Sequence, residues 1–91
     1  MLYAICYDVT STRRRAKLAK VLKGYGRRVQ RSVFECRLGE QDFGKLKERL
    51  ARLGLAETDL LRYYPLCRAC TQRIEFRGGA PPAPEAEDVI V

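Results

Sequence analysis

The fold is decided by the stretch from residue 2 to residue 25, which reads LYAICYDVTSTRRRAKLAKVLKGY. Its first seven residues form a short apolar run that ends on a polar group and predicts a central β-strand over Leu2–Asp8. Capping hydroxyls follow at 10–12, and apolar residues then recur at helical spacing until glycines close the segment. The stretch therefore predicts a strand followed directly by an amphipathic helix with a basic outer face.

The remaining segments extend this pattern along the chain. Residues 28–38 are extended by composition, and we expect two short strands that meet at a tight bend near Gln30–Ser32. A second amphipathic helix is predicted over Gln41–Leu53, since its apolar residues repeat at three and four. Two further strands are predicted over Leu60–Leu66 and Thr71–Phe76.

The order of these elements is that of the ferredoxin-like fold. Strand, helix, strand, strand, helix, strand is the βαββαβ arrangement, and the strand over 71–76 is an addition to it. We therefore expect one α+β sandwich domain over residues 1–77. Residues 78–91 are interpreted as a Pro-rich linker and a tail whose last three residues are strand-like, with a disordered tail as the alternative. Our hypothesis is that residues 85–91 dock on a sheet edge of a partner.

The size of the chain and the pattern of its first strand predict a dimer. Ninety-one residues is close to the lower limit for a chain that must bury its own core. Both alternating sets of side chains in the first strand include apolar residues. One face of the sheet is therefore expected to pack the helices and the other a second copy, in a twofold homodimer.

The positive charge is concentrated in the first third of the sequence. The formal net charge is +7, and residues 1–31 hold nine Lys and Arg against the single acid Asp8. The alternative for any charge run is a solvated helix face. Arginine dominates here, however, and its planar fork matches two phosphate oxygens at once, which favours a polyanion partner such as a nucleic acid.

Asp8 is the candidate for metal chemistry. Hydrolysing a phosphodiester without histidine, which this chain lacks, requires a metal ion such as Mg²⁺, and Mg²⁺ can rest on few carboxylates. Asp8 follows the first strand, precedes a helix N-terminus that favours anions, and lies near three consecutive arginines. Alone it is more typical of a helix-capping or turn residue. In a twofold dimer, two copies of Asp8 near the axis would form a paired-carboxylate site.

The four cysteines do not predict a structural zinc site. Only Cys67 and Cys70 form a Cys-x-x-Cys pair, whereas zinc sites usually combine two such pairs or add histidines. Cys6 and Cys36 lie in strand-like runs and are expected to act as small buried apolar residues. For Cys67 and Cys70 we expect a bend between strands, with a redox pair as the alternative.

The hydropathy of the chain excludes a membrane partner. No apolar run approaches the roughly 20 residues that a membrane span needs. Met1 leads straight into strand-like sequence with no basic segment before it, which predicts a cytoplasmic protein. A cytoplasmic location argues against a permanent disulfide.

Four short motifs resemble the CRISPR-associated Cas-two family. They are Tyr7-Asp8, the Arg-rich helix ending in Tyr25-Gly26, Ser32-Val33-Phe34-Glu35-Cys36, and Tyr64-Pro65-Leu66-Cys67. The resemblance covers about residues 1–77, and the motifs occur in the family's order and separations. It implies a ferredoxin-like homodimer whose last core strand crosses to the partner, with Asp8 of both chains facing each other over Mg²⁺.

The resemblance implies two classes of function. Members of this family have been described as metal-dependent endonucleases that act on RNA or on double-stranded DNA. The family also bridges integrase dimers when new spacers are inserted into a CRISPR array, a role that needs no nuclease activity. An unrelated RNA-binding domain is a weaker alternative, because the sequence lacks paired exposed aromatic residues that would stack bases.

The same resemblance marks the neighbours of Asp8 that matter most. The predicted phosphate-binding residues are Arg14, Arg15 and Arg31, and the predicted supporting residues are Tyr7 and Phe34. Each has an alternative: Phe34 as interface core, Tyr7 as a residue that fills the sheet, and Arg31 as the ion-pair partner of Glu35. From the residues alone, Arg14 falls within the apolar side of its helix, so it must either snorkel or meet a charge near the strand end.

Overall fold

The computed structural model describes residues 1–82, which contain four strands and three helices. In chain order these are β1 (Leu2–Asp8), α1 (Thr12–Lys23), β2 (Arg27–Gln30), β3 (Val33–Arg37), α2 (Glu40–Ala51), β4 (Leu60–Leu66) and α3 (Arg68–Gln72). The strands form one antiparallel sheet in the order β2-β3-β1-β4. This order, with β3 between β1 and β2, is the ferredoxin-like topology, so the predicted α+β fold is confirmed. The exchange of a strand with a second chain stays a prediction.

Helix α1 forms where the sequence predicted it. Ser11 adopts an extended backbone conformation, and its Oγ accepts a hydrogen bond from the Arg14 backbone N–H at 3.2 Å. Such a cap satisfies one of the backbone donors that a helix leaves free at its N-terminus. Leu18 and Leu22 are fully buried against the sheet, and the basic side chains of α1 lie mainly on its outer side.

The segment at 27–37 consists of two strands, as predicted. β2 and β3 pair in antiparallel fashion, and the chain reverses at Arg31 and Ser32. The register shifts between Arg28 and Gln30, which marks a bulge. A bulge bends the strand that carries it, and here it adjoins the reversal that holds Arg31.

The core lies between the sheet and the two long helices. Ile5, Phe34 and Leu46 are fully buried in it, and the Tyr3 ring stacks on Phe43 with the centroids 3.8 Å apart. We call this side of the sheet the covered face. The open face is the opposite side, whose positions on β1 and β4 include Ala4, Cys6, Leu60, Arg62 and Tyr64, together with the buried Leu2.

The strand predicted over 71–76 is wrong for the single chain. Residues 68–72 form α3, and no strand occurs between residues 73 and 82. Cys67 caps α3, and the Thr71 hydroxyl donates to the backbone carbonyls of Leu66 and Cys67. These hydrogen bonds satisfy the backbone within a helical turn, so the chain leaves β4 without extending the sheet. The bend between strands expected at the Cys-x-x-Cys pair is therefore wrong in this form: the chain turns there in a helix, and no strand follows within residues 73–82.

Two further predictions concern the C-terminal part of the chain. The boundary at residue 77 stays a prediction, and the tail hypothesis for 85–91 lies outside the described residues. None of the helices within residues 1–82 is long and apolar enough to cross a membrane.

Candidate active site

Asp8 lies at the end of the central strand β1, where it pairs with Leu60, the first residue of β4. Side chains alternate along a strand, so Asp8 lies on the same side of the sheet as Cys6, which is the open face. The residue is exposed, and its carboxylate forms no ion pair or hydrogen bond within residues 1–82. The helix-capping interpretation of Asp8 is wrong, because Ser11 caps α1.

Asp8 borders an open cavity of about 740 Å³ that is rich in arginine. Arg15 from α1, Arg28 from β2 and Arg31 from the β2–β3 reversal line the same cavity. The described lining thus contains three cations and one acid, Asp8, which borders the cavity from the end of β1. The net positive charge of the lining favours an anionic ligand, and the planar guanidinium groups match the spacing of phosphate oxygens.

Arg15 also stabilises the loop between β1 and α1. Its Nη1 donates to the backbone carbonyls of Val9 at 2.8 Å and Thr10 at 3.2 Å. Its Nη2 donates to the Thr12 Oγ1 at 3.1 Å. These three bonds hold the loop that follows Asp8 and fix the guanidinium at the edge of the cavity.

Tyr7 and Phe34 support the site from within the core. The Tyr7 hydroxyl donates to the Arg31 carbonyl at 3.1 Å, and the Tyr7 backbone N–H donates to the Ser32 carbonyl at 3.1 Å. The Tyr7 ring packs beside the Phe34 ring, with the centroids 6.3 Å apart. Tyr7 therefore fills the sheet and also positions the reversal that holds Arg31. Phe34 is fully buried within its own chain, so it belongs to the core of the domain rather than to an interface.

Arg31 does not pair with Glu35. The ion-pair partner of Glu35 is Arg27, whose Nη2 lies 3.8 Å from the Glu35 Oε1. Within residues 1–82, the Arg31 side chain forms no ion pair. The guanidinium is therefore available to a ligand in the cavity.

Arg14 meets a charge near the strand end, which is one of the two outcomes expected for it. Its Nε lies 2.7 Å from the Asp59 Oδ2, and its Nη2 donates to the Oδ1 at 3.3 Å. The Asp59 side chain is fully buried, and its Oδ2 also accepts a hydrogen bond from the backbone N–H of Ala56 at 2.8 Å. The hydrogen bond from Arg14 is the largest cause that lowers the pKa of Asp59. Phosphate binding by Arg14 stays a prediction, because its guanidinium is already held by Asp59.

Sequence reasoning did not single out Arg28 and Asp59. The Arg28 Cζ lies 5.3 Å from the centroid of the Phe34 ring, a cation–π distance that holds the guanidinium beside the cavity. Arg28 was one of nine basic residues with nothing local to distinguish it. Asp59 was detectable only as an acid just before a strand, because its partner Arg14 is 45 residues away in sequence.

The donor set is compatible with a Mg²⁺ ion that is held by few protein ligands. Within residues 1–82, no group of three or more His, Cys, Asp or Glu side chains is placed to hold a metal ion. Mg²⁺ binds oxygen ligands and commonly rests on one or two carboxylates, with water completing its shell. The exposed, unpaired carboxylate of Asp8 fits this requirement.

Comparison with known proteins places the chain in a family. The family model described as CRISPR associated protein Cas2 matches residues 1–74. The chain belongs to the Cas2 family. The CRISPR-associated endoribonuclease Cas2 1 of Chloroflexus aurantiacus is 44% identical over 92 residues, which cover 100% of this chain and 99% of that protein. The CRISPR-associated endonuclease Cas2 2 of Thermus thermophilus is 44% identical over 90 residues, which cover 99% and 94%.

Solved structures of the family share the fold. The crystal structure of Streptococcus pyogenes Cas2 at pH 6.5 matches with a TM-score of 0.75 at 35% identity, covering 86% of this chain and 100% of that one. A chain of a partial Cas6-RT-Cas1–Cas2 complex matches with a TM-score of 0.75 at 29% identity, covering 99% and 98%. The family resemblance stated from the four motifs is thereby confirmed.

Proposed function

We propose that this protein acts in CRISPR adaptation as a basic homodimer that binds nucleic-acid phosphates and hydrolyses phosphodiester bonds with Mg²⁺ at Asp8. The names of the relatives support a nuclease, since the proteins from Chloroflexus and Thermus are called an endoribonuclease and an endonuclease. The observation that carries the proposal is the free carboxylate of Asp8 at the edge of a cavity lined by Arg15, Arg28 and Arg31.

Asp8 would hold the metal ion. When bound, Mg²⁺ supplies a more acidic water for attack and stabilises the charge on the leaving oxygen. One carboxylate per chain binds a metal ion weakly, and a second copy related by a twofold axis would supply a second carboxylate. Asp8 lies on the open face, so a dimer formed through that face would bring the two carboxylates toward each other.

The arginines would position the phosphate groups. Arg31 has no ion-pair partner within the described residues, and Arg28 is held at the cavity by the Phe34 ring. Arg15 keeps part of its guanidinium free beside the three bonds that it makes to the loop. Contacts of this kind read the backbone rather than the bases, so sequence preference should be slight.

A second candidate function is a scaffold without catalysis that joins nucleic acid to an integrase. Two observations favour it. No group of three or more metal-ligating side chains occurs within residues 1–82, and a chain similar to this one occurs in a complex whose name includes Cas1. The scaffold would use the same arginines and the same dimer. The two functions are therefore distinguished by whether the protein cleaves nucleic acid.

The cleavage experiment compares the wild-type protein with Asp8→Asn on RNA and duplex DNA of matched sequence, across a Mg²⁺ titration. Asp8→Asn keeps the size of the side chain and removes its charge. We expect cleavage to fall by more than about a hundredfold, beyond the tenfold to hundredfold typical of residues that only orient metal ligands. The control is Asp42→Asn, an exposed acid of α2 remote from the cavity, which should cleave like the wild type. Equal cleavage by Asp8→Asn and wild type would reject the role of Asp8, and absence of Mg²⁺-dependent cleavage by the wild type would favour the scaffold.

The binding experiment measures the dissociation constant for nucleic acid as a function of salt. Each phosphate-contacting arginine that is replaced by alanine should reduce the log–log slope by about one. Arg15→Ala and Arg31→Ala test the cavity, and Arg14→Ala tests whether its guanidinium leaves Asp59 for a phosphate. Arg52→Ala is the control, because Arg52 forms an exposed pair with Glu48 on α2. An unchanged slope in the triple variant of Arg14, Arg15 and Arg31 would contradict the proposed interface.

A further inference from the structure

Two exposed thiols lie at the end of the β1–β4 pair opposite to Asp8. Leu66, the last residue of β4, pairs with Leu2, whereas Asp8 pairs with Leu60 at the other end. Cys67 follows Leu66 directly, and Cys70 lies one helical turn further on in α3. Both are free and exposed, unlike Cys36, which is buried in the core. Nothing in the proposed nuclease or scaffold uses this pair.

The backbone holds the two thiols at bridging geometry. The Cys67 Sγ accepts a hydrogen bond from the Cys70 backbone N–H at 3.5 Å. Residues three apart on a helical turn have Cα atoms about 5 Å apart, within the range of about 4.4–6.8 Å that a disulfide requires. The same two residues on an extended strand would be about 10 Å apart. The helical turn, unlike an extended strand, therefore permits a bond between them.

The two thiols differ in acidity in the way that exchange chemistry requires. The hydrogen bond from the Cys70 backbone N–H, followed by one from the Cys70 thiol, lowers the pKa of Cys67. The pKa of Cys70 is raised, first because its thiol hydrogen-bonds to Cys67. Burial raises the pKa of Cys36 to about 11, so the core thiol is unreactive. Cys67 is the thiol suited to attack, and Cys70 is the thiol suited to resolve.

We propose that Cys67 and Cys70 form a reversible dithiol that exchanges with low-molecular-weight disulfides, and that its oxidation locks the turn between β4 and residues 73–82. In the first step, the Cys67 thiolate attacks one sulfur of oxidised glutathione, and one glutathione thiolate leaves. In the second step, Cys70 loses its proton and attacks the Cys67 sulfur, and the second glutathione thiolate leaves. Two electrons pass from the protein to glutathione, and the two thiol protons end on the two released glutathione molecules at neutral pH.

The locked turn would fix the direction in which the chain leaves the sheet. Residues 74–82 run beside β2, where the Arg27 Nη2 donates to the Ala80 carbonyl at 3.5 Å. A disulfide between residues 67 and 70 is incompatible with an extended conformation of those residues, so oxidation selects the turn over any strand that begins there. The thiols lie at the end of β1 opposite to Asp8, and the exchange uses none of the groups at Asp8, so this inference does not rest on the proposed function.

The test is to equilibrate the full chain in glutathione buffers of increasing oxidised fraction and to quench the exchange with acid. Free thiols are then alkylated in denaturant with excess iodoacetamide at mildly alkaline pH, and the unfolded protein is digested with trypsin. Arg68 lies between the two cysteines, so cleavage after it separates peptide 63–68 from peptide 69–73. The two peptides stay joined only if the disulfide has formed. We expect the joined pair to accumulate with oxidised glutathione, to disappear with dithiothreitol, and to persist in the control Cys6→Ser. Cys70→Ser should instead keep glutathione on Cys67, because no second thiol is present to displace it. In the reduced wild-type protein, iodoacetamide should alkylate Cys67 on the order of tenfold faster than Cys6 at neutral pH.

Several outcomes would overturn the proposal. A covalent dimer on a non-reducing gel, with no joined pair within one chain, would contradict the intramolecular bond. Separate peptides at every buffer composition would contradict the dithiol. Hydrogen exchange of the backbone amides of residues 68–73 should become at least several times slower on oxidation. Unchanged exchange with a fully formed disulfide would contradict the locked turn.

Discussion

The two faces of the sheet are built from alternating positions of the same strands, yet they end in opposite states. On the covered face, Ile5 and Phe34 are fully buried beneath α1 and α2. On the open face, Leu60 and Tyr64 remain 40% and 44% exposed. The covered face is therefore complete within one chain, whereas the open face presents apolar groups that a second copy can bury.

The difference bears on function because Asp8 belongs to the open face. Its neighbour Tyr7 points to the other side, where it is buried and bonded to the Arg31 carbonyl. One chain thus fixes the position of the carboxylate from the covered face and leaves the carboxylate itself free. Association through the open face would bury the apolar groups and bring the two Asp8 side chains together in one step.

The closeness of packing on the covered face can be tested at Gly26. A Cβ on Gly26 would contact the Glu35 carbonyl oxygen, and it would lie 2.5 Å from the Cys36 Sγ and 2.8 Å from the Cys36 Cα. Backbone atoms cannot yield easily, so Gly26→Ala should lower the free energy of unfolding by about 1–3 kcal/mol or more, measured by urea denaturation. The matched control is Gly44→Ala in α2, where a Cβ meets nothing within 4 Å and alanine should add about 0.5–1 kcal/mol. If Gly26→Ala leaves the free energy of unfolding unchanged, or raises it as Gly44→Ala does, this face is loosely packed.

The open face can be tested by placing a charge in it. Tyr64→Lys puts an ammonium group beside Arg62, whose Nη1 donates to the Tyr64 hydroxyl at 3.0 Å, and burying unpaired like charges opposes association. We expect the dimer dissociation constant to rise at least tenfold, about 1.4 kcal/mol, in sedimentation or light-scattering measurements. Gln41→Lys makes the same change of charge on exposed α2 and should leave the constant unaltered. A wild-type protein that is monomeric at micromolar concentration would contradict the dimer itself.

The junction of the two faces can be tested by pH at Asp59, which precedes Leu60 and is bonded to Arg14 of α1. The folded protein lowers the pKa of Asp59, so the ion pair stabilises the fold above the ordinary Asp value of about 3.9 and loses this effect as the pH falls through the lower folded value. The difference in melting temperature between wild type and Asp59→Asn should therefore be largest at neutral pH and shrink below about pH 4. Glu48→Gln, which removes an exposed pair on α2, should change the melting temperature little at any pH. A difference for Asp59→Asn that does not vary with pH would contradict the ionic contribution.

Local pattern was sufficient for the elements whose partners lie in the same chain. The bounds predicted for β1 and β4 match the structure residue for residue, and the bend between β2 and β3 lies where it was expected. The strand over 71–76 failed because a strand needs a neighbour to pair with. In the single chain, the hydrogen bonds of Cys67 and Thr71 favour a helical turn instead.

The candidate site was predictable in part for a related reason. Asp8, Arg15 and Arg31 border one cavity, as their positions at the end of β1, the start of α1 and the bend suggested. Asp59 and its bond to Arg14 depend on a contact between distant parts of the sequence, which no local pattern encodes. The direction of Arg28 depends on the Phe34 ring across the β2–β3 pair.

The central claim is that one site is formed by two copies of Asp8, and mixing the subunits tests it most directly. Wild-type and Asp8→Asn chains are unfolded together in varying ratios, refolded at constant total protein, and assayed for Mg²⁺-dependent cleavage. If both carboxylates are required, activity follows the square of the wild-type fraction, and an equal mixture retains about a quarter of the wild-type activity. If each chain acts alone, activity follows the fraction itself and the equal mixture retains about half, which would contradict the shared site.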